Sequence, residues 1–373
     1  MHATVKEVSS RRDLKKFIAF PNKLFRNVPT YIPPLIRDEM GLLTRRNPSL
    51  DHCDLALFLA YDTQNNIVGR VAAIINHNCN KHWNRRTVRF GWCDFVEDYE
   101  VFLSLMNAVI DFGHAHGMDE IEGPLGFTDM DKECWMISNF DQRQNISTLY
   151  NPEYYISFVQ RFGMQIQCRW MQYQMPASQP IPEKVARING MIQERYNLRL
   201  LKFKNRKEVF RYARKFFYAI NASFKDLYDF VPLTEEEISV YVNEYFPFTN
   251  LEFTNFVVDQ NDDVVAFGLS IPDLSRAYQR ANGHLFPFGW FYILRALHHF
   301  DTIDLLLNGV HPDWQKRGVH SLYYSEMNKC AIKYNVKTAY TNPQIIGNDA
   351  VKIWGNQYQA TPLMERAVFG MPI

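Results

Sequence analysis

The residues best placed to do chemistry lie in one stretch, Leu305-Leu-Leu-Asn-Gly-Val310-His-Pro-Asp-Trp-Gln315-Lys-Arg-Gly-Val-His320-Ser-Leu-Tyr-Tyr324. An apolar run that reads as a strand ends at Val310. A proline, a short polar loop with Gly318 and an amphipathic helix follow. The first turn of a helix leaves about four N–H groups without partners and carries roughly half a positive charge, which makes it an anion site. Gly318 allows a tight backbone and close approach to a ligand, and Lys316 and Arg317 add charge. The corner suits a phosphate, but a plain strand-to-helix connection with a solvated Lys-Arg pair would carry the same residues.

Other clusters read more simply. His77-Asn-Cys79-Asn-Lys-His82 offers three metal-type side chains without a fourth, so a polar loop between strands is expected, with no metal. His114, His116, His298 and His299 read as helix-surface or capping residues, and Arg45-Arg46 and Arg85-Arg86 as solvated pairs. The aromatic run Leu285-Phe-Pro-Phe-Gly-Trp-Phe-Tyr292 reads either as core or as the apolar wall of a pocket. The irregular segment from Gly123 to Pro152, with Trp135, Phe140 and Tyr150, either covers an acceptor between two lobes or is a packed wrap.

These residues need a scaffold of alternating elements. In the first half, strands are expected at 5–8, 54–61, 67–75 and 88–94, with helices at 11–20 and 98–116 and a further strand starting at 120. In the second half, strands are expected at 198–203, 253–258, 264–270, 302–310, 337–342 and 361–369. The helices there are 207–220, 234–245, 320–334 and 348–354, and Thr234 with Glu237 forms a capping box. The fold class is α/β (α+β) with a mixed sheet. The proline run at Pro176, Pro180 and Pro182 cannot hold a helix or a central strand. It divides the chain into a lobe at 1–176, a linker at 177–197 and a lobe at 198–373.

Bulk composition narrows the function class. The chain has 373 residues, 47% hydrophobic and 22% charged, with net charge +1. That is a globular composition, and neither a nucleic-acid nor a membrane partner is expected from it. Six scattered cysteines without a CxxC pair suit reduced thiols. The N-terminal residues lack the apolar core of a signal peptide and no apolar run is long enough to span a bilayer, so a cytoplasmic protein is expected.

The string Val310-His-Pro312-Asp-Trp314-Gln315-Lys-Arg-Gly318-Val319-His320 resembles the acyl-coenzyme A signature of the GCN5-related N-acetyltransferase (GNAT) superfamily, with His320 where the family prefers Gly or Ala. Asn348 to Trp354 resembles the later family segment, with tryptophan near the usual tyrosine. The resemblance is detailed over 300–370, looser over 198–370, and one of element order in the first half. It implies a mostly antiparallel GNAT sheet flanked by helices, in two lobes. The chain also resembles two-lobed bacterial proteins of unknown acceptor that share phrases seen here at Gly69–Asn76, Leu285–Gly289 and Tyr150–Tyr155.

The resemblance implies acetyl-CoA or another acyl-CoA as a substrate and a small-molecule amine as acceptor. Backbone groups at Asn308 and Val310 would hold the pantetheine arm. The loop of Gln315, Lys316, Arg317, Gly318, Val319 and His320 would hold the pyrophosphate, and Asn348 would face the arm. Tyr358 and Tyr340 stand as candidate acids, and Asp304 and His311 as candidate bases. The first-lobe equivalent, Cys93-Asp-Phe-Val-Glu-Asp-Tyr-Glu100, is acidic and lacks a glycine, so only the second lobe is expected to bind coenzyme. The alternative is a non-catalytic GNAT-like protein that binds coenzyme A or a partner. An aminoacyl-tRNA-dependent tandem GNAT transferase fits less well, since that class lacks the phosphate loop.

Overall fold

Local capping rules start many of the helices. A computed structural model of the chain describes residues 2–179, 183–245, 250–347 and 359–373. Ser10 accepts from Asp13 N at 3.1 Å and opens α1 (Arg11–Leu24). Thr234 and Glu237 exchange bonds of 3.2 and 2.8 Å and open α8 (Glu235–Tyr245), the expected capping box. Asn76 accepts from Cys79 N and starts a short helix, α3 (His77–Trp83). The histidine–cysteine cluster therefore sits on a helix and not in a loop, with His77 Nε2 at 2.8 Å from Asp54. No helix among the described residues is long and apolar enough to cross a membrane.

The chain forms two compact units, residues 1–171, 274–294 and 363–373 in the first and 172–273 and 295–362 in the second. In unit 1 the strands are β1 (Thr4–Glu7), β2 (Cys53–Tyr61), β3 (Ile67–Asn76), β4 (Thr87–Phe95) and β5 (Glu120–Gly123). They lie side by side in that order, and the end of the chain, β14 (Thr361–Pro372), adds beyond β5 with Phe369 opposite Gly123. The β4–β5 pair is parallel, and α4 (Tyr99–Ala115) joins its two strands. A two-residue strand, β6 (Trp135–Met136), pairs with β14. α2 (Ile36–Leu42) and α5 (Tyr154–Phe162) complete the unit, together with α9 (Ser275–Ala281) from the second half of the sequence. Phe90, Phe95, Phe102, Trp135, Tyr155 and Phe369 fill the core.

Unit 2 repeats this order. β8 (Arg199–Leu201), β9 (Thr254–Val258), β10 (Val264–Pro272), β11 (Thr302–Val310) and β12 (Thr338–Thr341) follow one another across its sheet. The sixth position belongs to the end of β7 (Gln165–Pro176), with Met175 opposite Ala339. The β11–β12 pair is parallel and α11 (His320–Lys333) connects it. α7 (Arg206–Phe224) also packs on this sheet. Val257, Ala266, Leu305, Leu322, Tyr323 and Val336 are its core.

Both sheets are thus mixed and mostly antiparallel, as the sequence predicts. The sixth strands are exchanged in sequence: unit 1 takes 363–372, and unit 2 takes 172–176. Residues 183–196, read from the sequence as linker, form helix α6 (Glu183–Tyr196). The aromatic run at 285–292 is not core, because Phe286 and Phe288 are exposed beside α10 (Gly289–His298). Arg85 is not simply solvated either: its guanidinium meets the buried Glu122 carboxylate at 2.7 Å. The expected helix at 348–354 lies outside the described residues.

Candidate functional site

Strand register in unit 2 creates an open backbone edge. β11 and β12 pair from Thr302↔Thr338 to Leu305↔Thr341. Asn342 then bonds Leu305 O through its N–H at 3.1 Å and Leu306 O through Nδ2 at 2.9 Å. Past that point β11 stays paired with β10 alone among the described residues, and a register shift leaves Leu306 as the extra residue of a bulge. His311 N donates to Val265 O at 2.8 Å. Antiparallel pairs alternate between bonded and non-bonded, so Val310 and Asn308, opposite Ala266 and Gly268, are non-bonded pairs. Their N–H and C=O groups point away from β10, toward the open edge. Gln315 Nε2 reaches Val310 O at 3.2 Å.

The loop after Val310 is shaped by positive φ at Lys316 (60°) and Gly318 (76°). Pro312–Trp314 makes a single 3-10 turn, and α11 begins at His320 with no side-chain cap. Among the described residues, no carbonyl accepts from the N–H groups of Lys316, Arg317, Gly318 or Val319. Val319 is buried and anchors the loop in the core. The Arg317 guanidinium lies over the Trp314 and Tyr196 rings at 5.2 and 5.5 Å. Asn189 bonds Ser321 Oγ and Ser325 Oγ at 2.6 Å each, and Ile192 stands beside Gly318. These α6 contacts were missed by sequence reading, because the preceding prolines marked the region as linker.

His320 is half-buried, with its ring 6.2 Å from that of Tyr324, and burial lowers its pKa. Its protonated form is disfavoured, so it adds no cation to the loop at neutral pH. A folded pKa below the ordinary 6.5 means that the unfolded chain binds the proton more readily, so stability falls as pH drops below that value. Urea midpoints measured between pH 7 and 5 should fall more steeply for wild type than for His320→Gln.

The candidate acids and bases are spread along β11. Asp304 is fully buried and stands in register with Tyr340, which is half-buried on β12. His311 lies at the other end, half-buried, 3.7 Å from Asp313. Asp304 and His311 are seven positions apart along extended chain, or roughly 23 Å, so the two bases cannot serve one reacting atom. Tyr358 and Asn348 lie outside the described residues. Among the described residues, no group of His, Cys, Asp and Glu is placed to hold a metal.

The matching corner of unit 1 is built the same way and then filled. Val96 N donates to Val68 O at 3.0 Å, and Gly69 stands opposite Phe95. Phe95 is therefore in the same phase as Val310, with its backbone turned to the edge. Here Phe95 N donates to the Tyr155 hydroxyl at 2.8 Å, and Phe95 O accepts from the Tyr154 hydroxyl at 2.6 Å. The Tyr155 ring stacks on Phe95 at 4.0 Å. α4 is also capped, by Asp98 accepting from Glu100 N at 2.9 Å. The expected acidic corner is thus a self-satisfied one. Replacing this cap by alanine should cost about 1 kcal/mol in a urea titration.

Comparison with known proteins agrees with this architecture. No protein-family model matches the chain. It is 25% identical to Protein YghO of Escherichia coli over 317 residues, 83% of this chain and 79% of that protein. It is also 25% identical over 295 residues to a bacterial ceramide synthase of Caulobacter vibrioides, covering 78% and 75% of the two chains. Among solved structures, a tandem GNAT protein from the clavulanic acid biosynthesis pathway aligns over 100% of this chain and 98% of its own, with TM-score 0.57 at 9% identity. A GCN5-related N-acetyltransferase from Sphaerobacter thermophilus aligns over 99% and 95%, with TM-score 0.52 at 10% identity. The fold is the GNAT fold in tandem.

Proposed function

We propose that this protein transfers an acyl group from acyl-coenzyme A to an amine, using unit 2 alone for the coenzyme. The observation that carries the proposal is the pairing of an open β11 edge at Asn308 and Val310 with an uncapped N–H cradle at Lys316–Val319. An amide-rich pantetheine arm can bond that edge as an added strand, and the pyrophosphate can rest on the cradle. The thioester then lies toward the fork where β11 and β12 part, near Asn308 and Asn342.

An edge N–H polarises the thioester carbonyl as negative charge develops on its oxygen. The amine nitrogen attacks that carbon, the C–N bond forms and the C–S bond breaks. One proton leaves the nitrogen and one joins the departing thiolate. Tyr340 and Asp304 lie at the fork end and His311 at the pyrophosphate end, which favours the first two for the proton transfers. The amine class is guided by one relative. A ceramide is the amide of a fatty acid with a long-chain amino alcohol, so long-chain amino alcohols and long acyl-CoAs are the first pair to try.

A free-thiol assay over a panel of amines, with acetyl- and long-chain acyl-CoA, tests the reading. Amine-dependent thiol release supports it. Tight coenzyme binding with no release on any amine would favour the non-catalytic alternative. Calorimetry should give one coenzyme per chain, because tyrosines occupy the unit 1 edge; two per chain would contradict the assignment to unit 2.

A further inference from the structure

Among the described residues, large exposed apolar side chains are mostly scattered, and the densest run lies at 286–294. Phe286, Phe288, Trp290, Phe291 and Leu294 are 78, 66, 45, 50 and 47% exposed within nine residues. Contiguous apolar surface of this kind marks an interaction site. The segment is held firmly from beneath. Gln279 Nε2 donates to Pro29 O at 2.8 Å and Tyr31 O at 2.9 Å. Gly283 O accepts from Ile36 N at 3.0 Å, and Ser275 Oγ reaches Gln144 O at 3.3 Å. The rings are therefore presented by an anchored support.

Within the segment itself the charge has one sign, and the nearest acid from another element is the exposed Asp38 of α2, which lies near Tyr278. No Asp or Glu occurs between Asp273 and Asp301, while Arg276 and Arg280 are exposed on α9. Arg280 also lies over the Tyr292 ring at 5.8 Å. A symmetric contact with a second copy would bring these arginines together with no acid in the segment to neutralise them. Exposed Trp and Phe flanked by arginines instead match the boundary between acyl chains and anionic headgroups.

We propose that residues 284–294, with Arg276 and Arg280, dock this protein on the surface of an anionic phospholipid bilayer. The aromatic rings enter the boundary layer and the arginines meet the headgroups. The near-neutral total charge gave no sign of this, because the basic, acid-free run is offset elsewhere in the chain. The proposal stands on the exposed segment and does not depend on acyl transfer.

The full chain should be sedimented with phosphatidylcholine vesicles, with and without phosphatidylglycerol. Wild type is expected to pellet with the anionic vesicles. The triple variant Phe286→Ser, Phe288→Ser, Phe291→Ser should lose roughly a hundredfold in partitioning; its sites are exposed, so the fold should persist. Arg276→Gln with Arg280→Gln should lose about tenfold on anionic vesicles and little on neutral ones. Wild type remaining in the supernatant with both vesicles would overturn the proposal, as would undiminished pelleting of the triple variant. So would a wild-type dimer that the triple variant dissolves, with no vesicle binding.

Discussion

Gly318→Glu should weaken coenzyme A binding by at least about a hundredfold, or ~2.7 kcal/mol. Two effects act at this position. Its φ of 76° is one that an L side chain adopts at a cost, and a Cβ would stand 3.0 Å from Ile192 Cδ1. That strain is worth about 1–2 kcal/mol and falls on the folded chain whether or not ligand is bound. The second effect is charge. A carboxylate about 4 Å from a phosphate costs roughly 4 kcal/mol at the effective dielectric of a protein surface, less after salt screening. Gly318→Ala separates the two, since it carries the strain without the charge. Calorimetry should find the alanine variant within about tenfold of wild type and the glutamate variant beyond reach of ordinary titration, with similar melting temperatures for both. Equal affinity of wild type and Gly318→Glu would sink the assignment of the pyrophosphate to this loop.

The central elements of the site were legible because their signals are local. The apolar run from Thr302 to Val310, a glycine loop and an amphipathic helix from His320 are each fixed by their own residues, and β11 and α11 begin where the sequence says. The open edge at Asn308 and Val310 depends on register with β10, which the sequence does not print. The partner of β12 was hidden for the same reason. Alternation in Gln165–Pro176 suits any sheet edge, and nothing in it says that Met175 will meet Ala339. The two tyrosines on Phe95 are a further case. Tyr154 and Tyr155 read as an aromatic phrase, and only the geometry shows their hydroxyls on a strand edge. At 285–292 the aromatic run was read as core or pocket wall because apolar residues are usually buried, and the exposed patch departs from that rule. Trp135, in the segment read either as a cover for an acceptor or as a packed wrap, is 1% exposed and packed against Phe90, Tyr155 and Phe369, which fits the second reading at this residue.

Arg70→Ala should be the most damaging single change in unit 1, at about 3–5 kcal/mol of unfolding free energy. Arg70 and Asp94 are 5 and 8% exposed, on adjacent strands at the β4 bulge. Nε and Nη2 reach one Asp94 oxygen at 2.8 and 2.7 Å, and Nη1 donates to Phe17 O at 2.9 Å. The same guanidinium lies over the Phe17 ring at 5.0 Å. Removing it leaves a buried carboxylate without its cation and α1 without a tie to the sheet. Burial already pushes the Asp94 carboxyl above its ordinary 3.8, with Arg70 pulling it back. Without Arg70 the folded-state pKa rises further, so between 3.8 and that value the folded chain holds a proton that the unfolded chain has lost. Stability of the variant then falls as pH rises through this window and recovers on acidification. Urea denaturation should show a smaller loss at pH 5 than at pH 7. The double change Arg70→Met, Asp94→Leu removes both charges and should restore much of the lost stability. Wild-type stability in Arg70→Ala at pH 7 would mean that water reaches Asp94 freely, and that this corner of unit 1 is open after all. The structure argues for the opposite, since an ion pair and two tyrosines close the unit 1 corner; the proposal gives the coenzyme to the matching corner of unit 2.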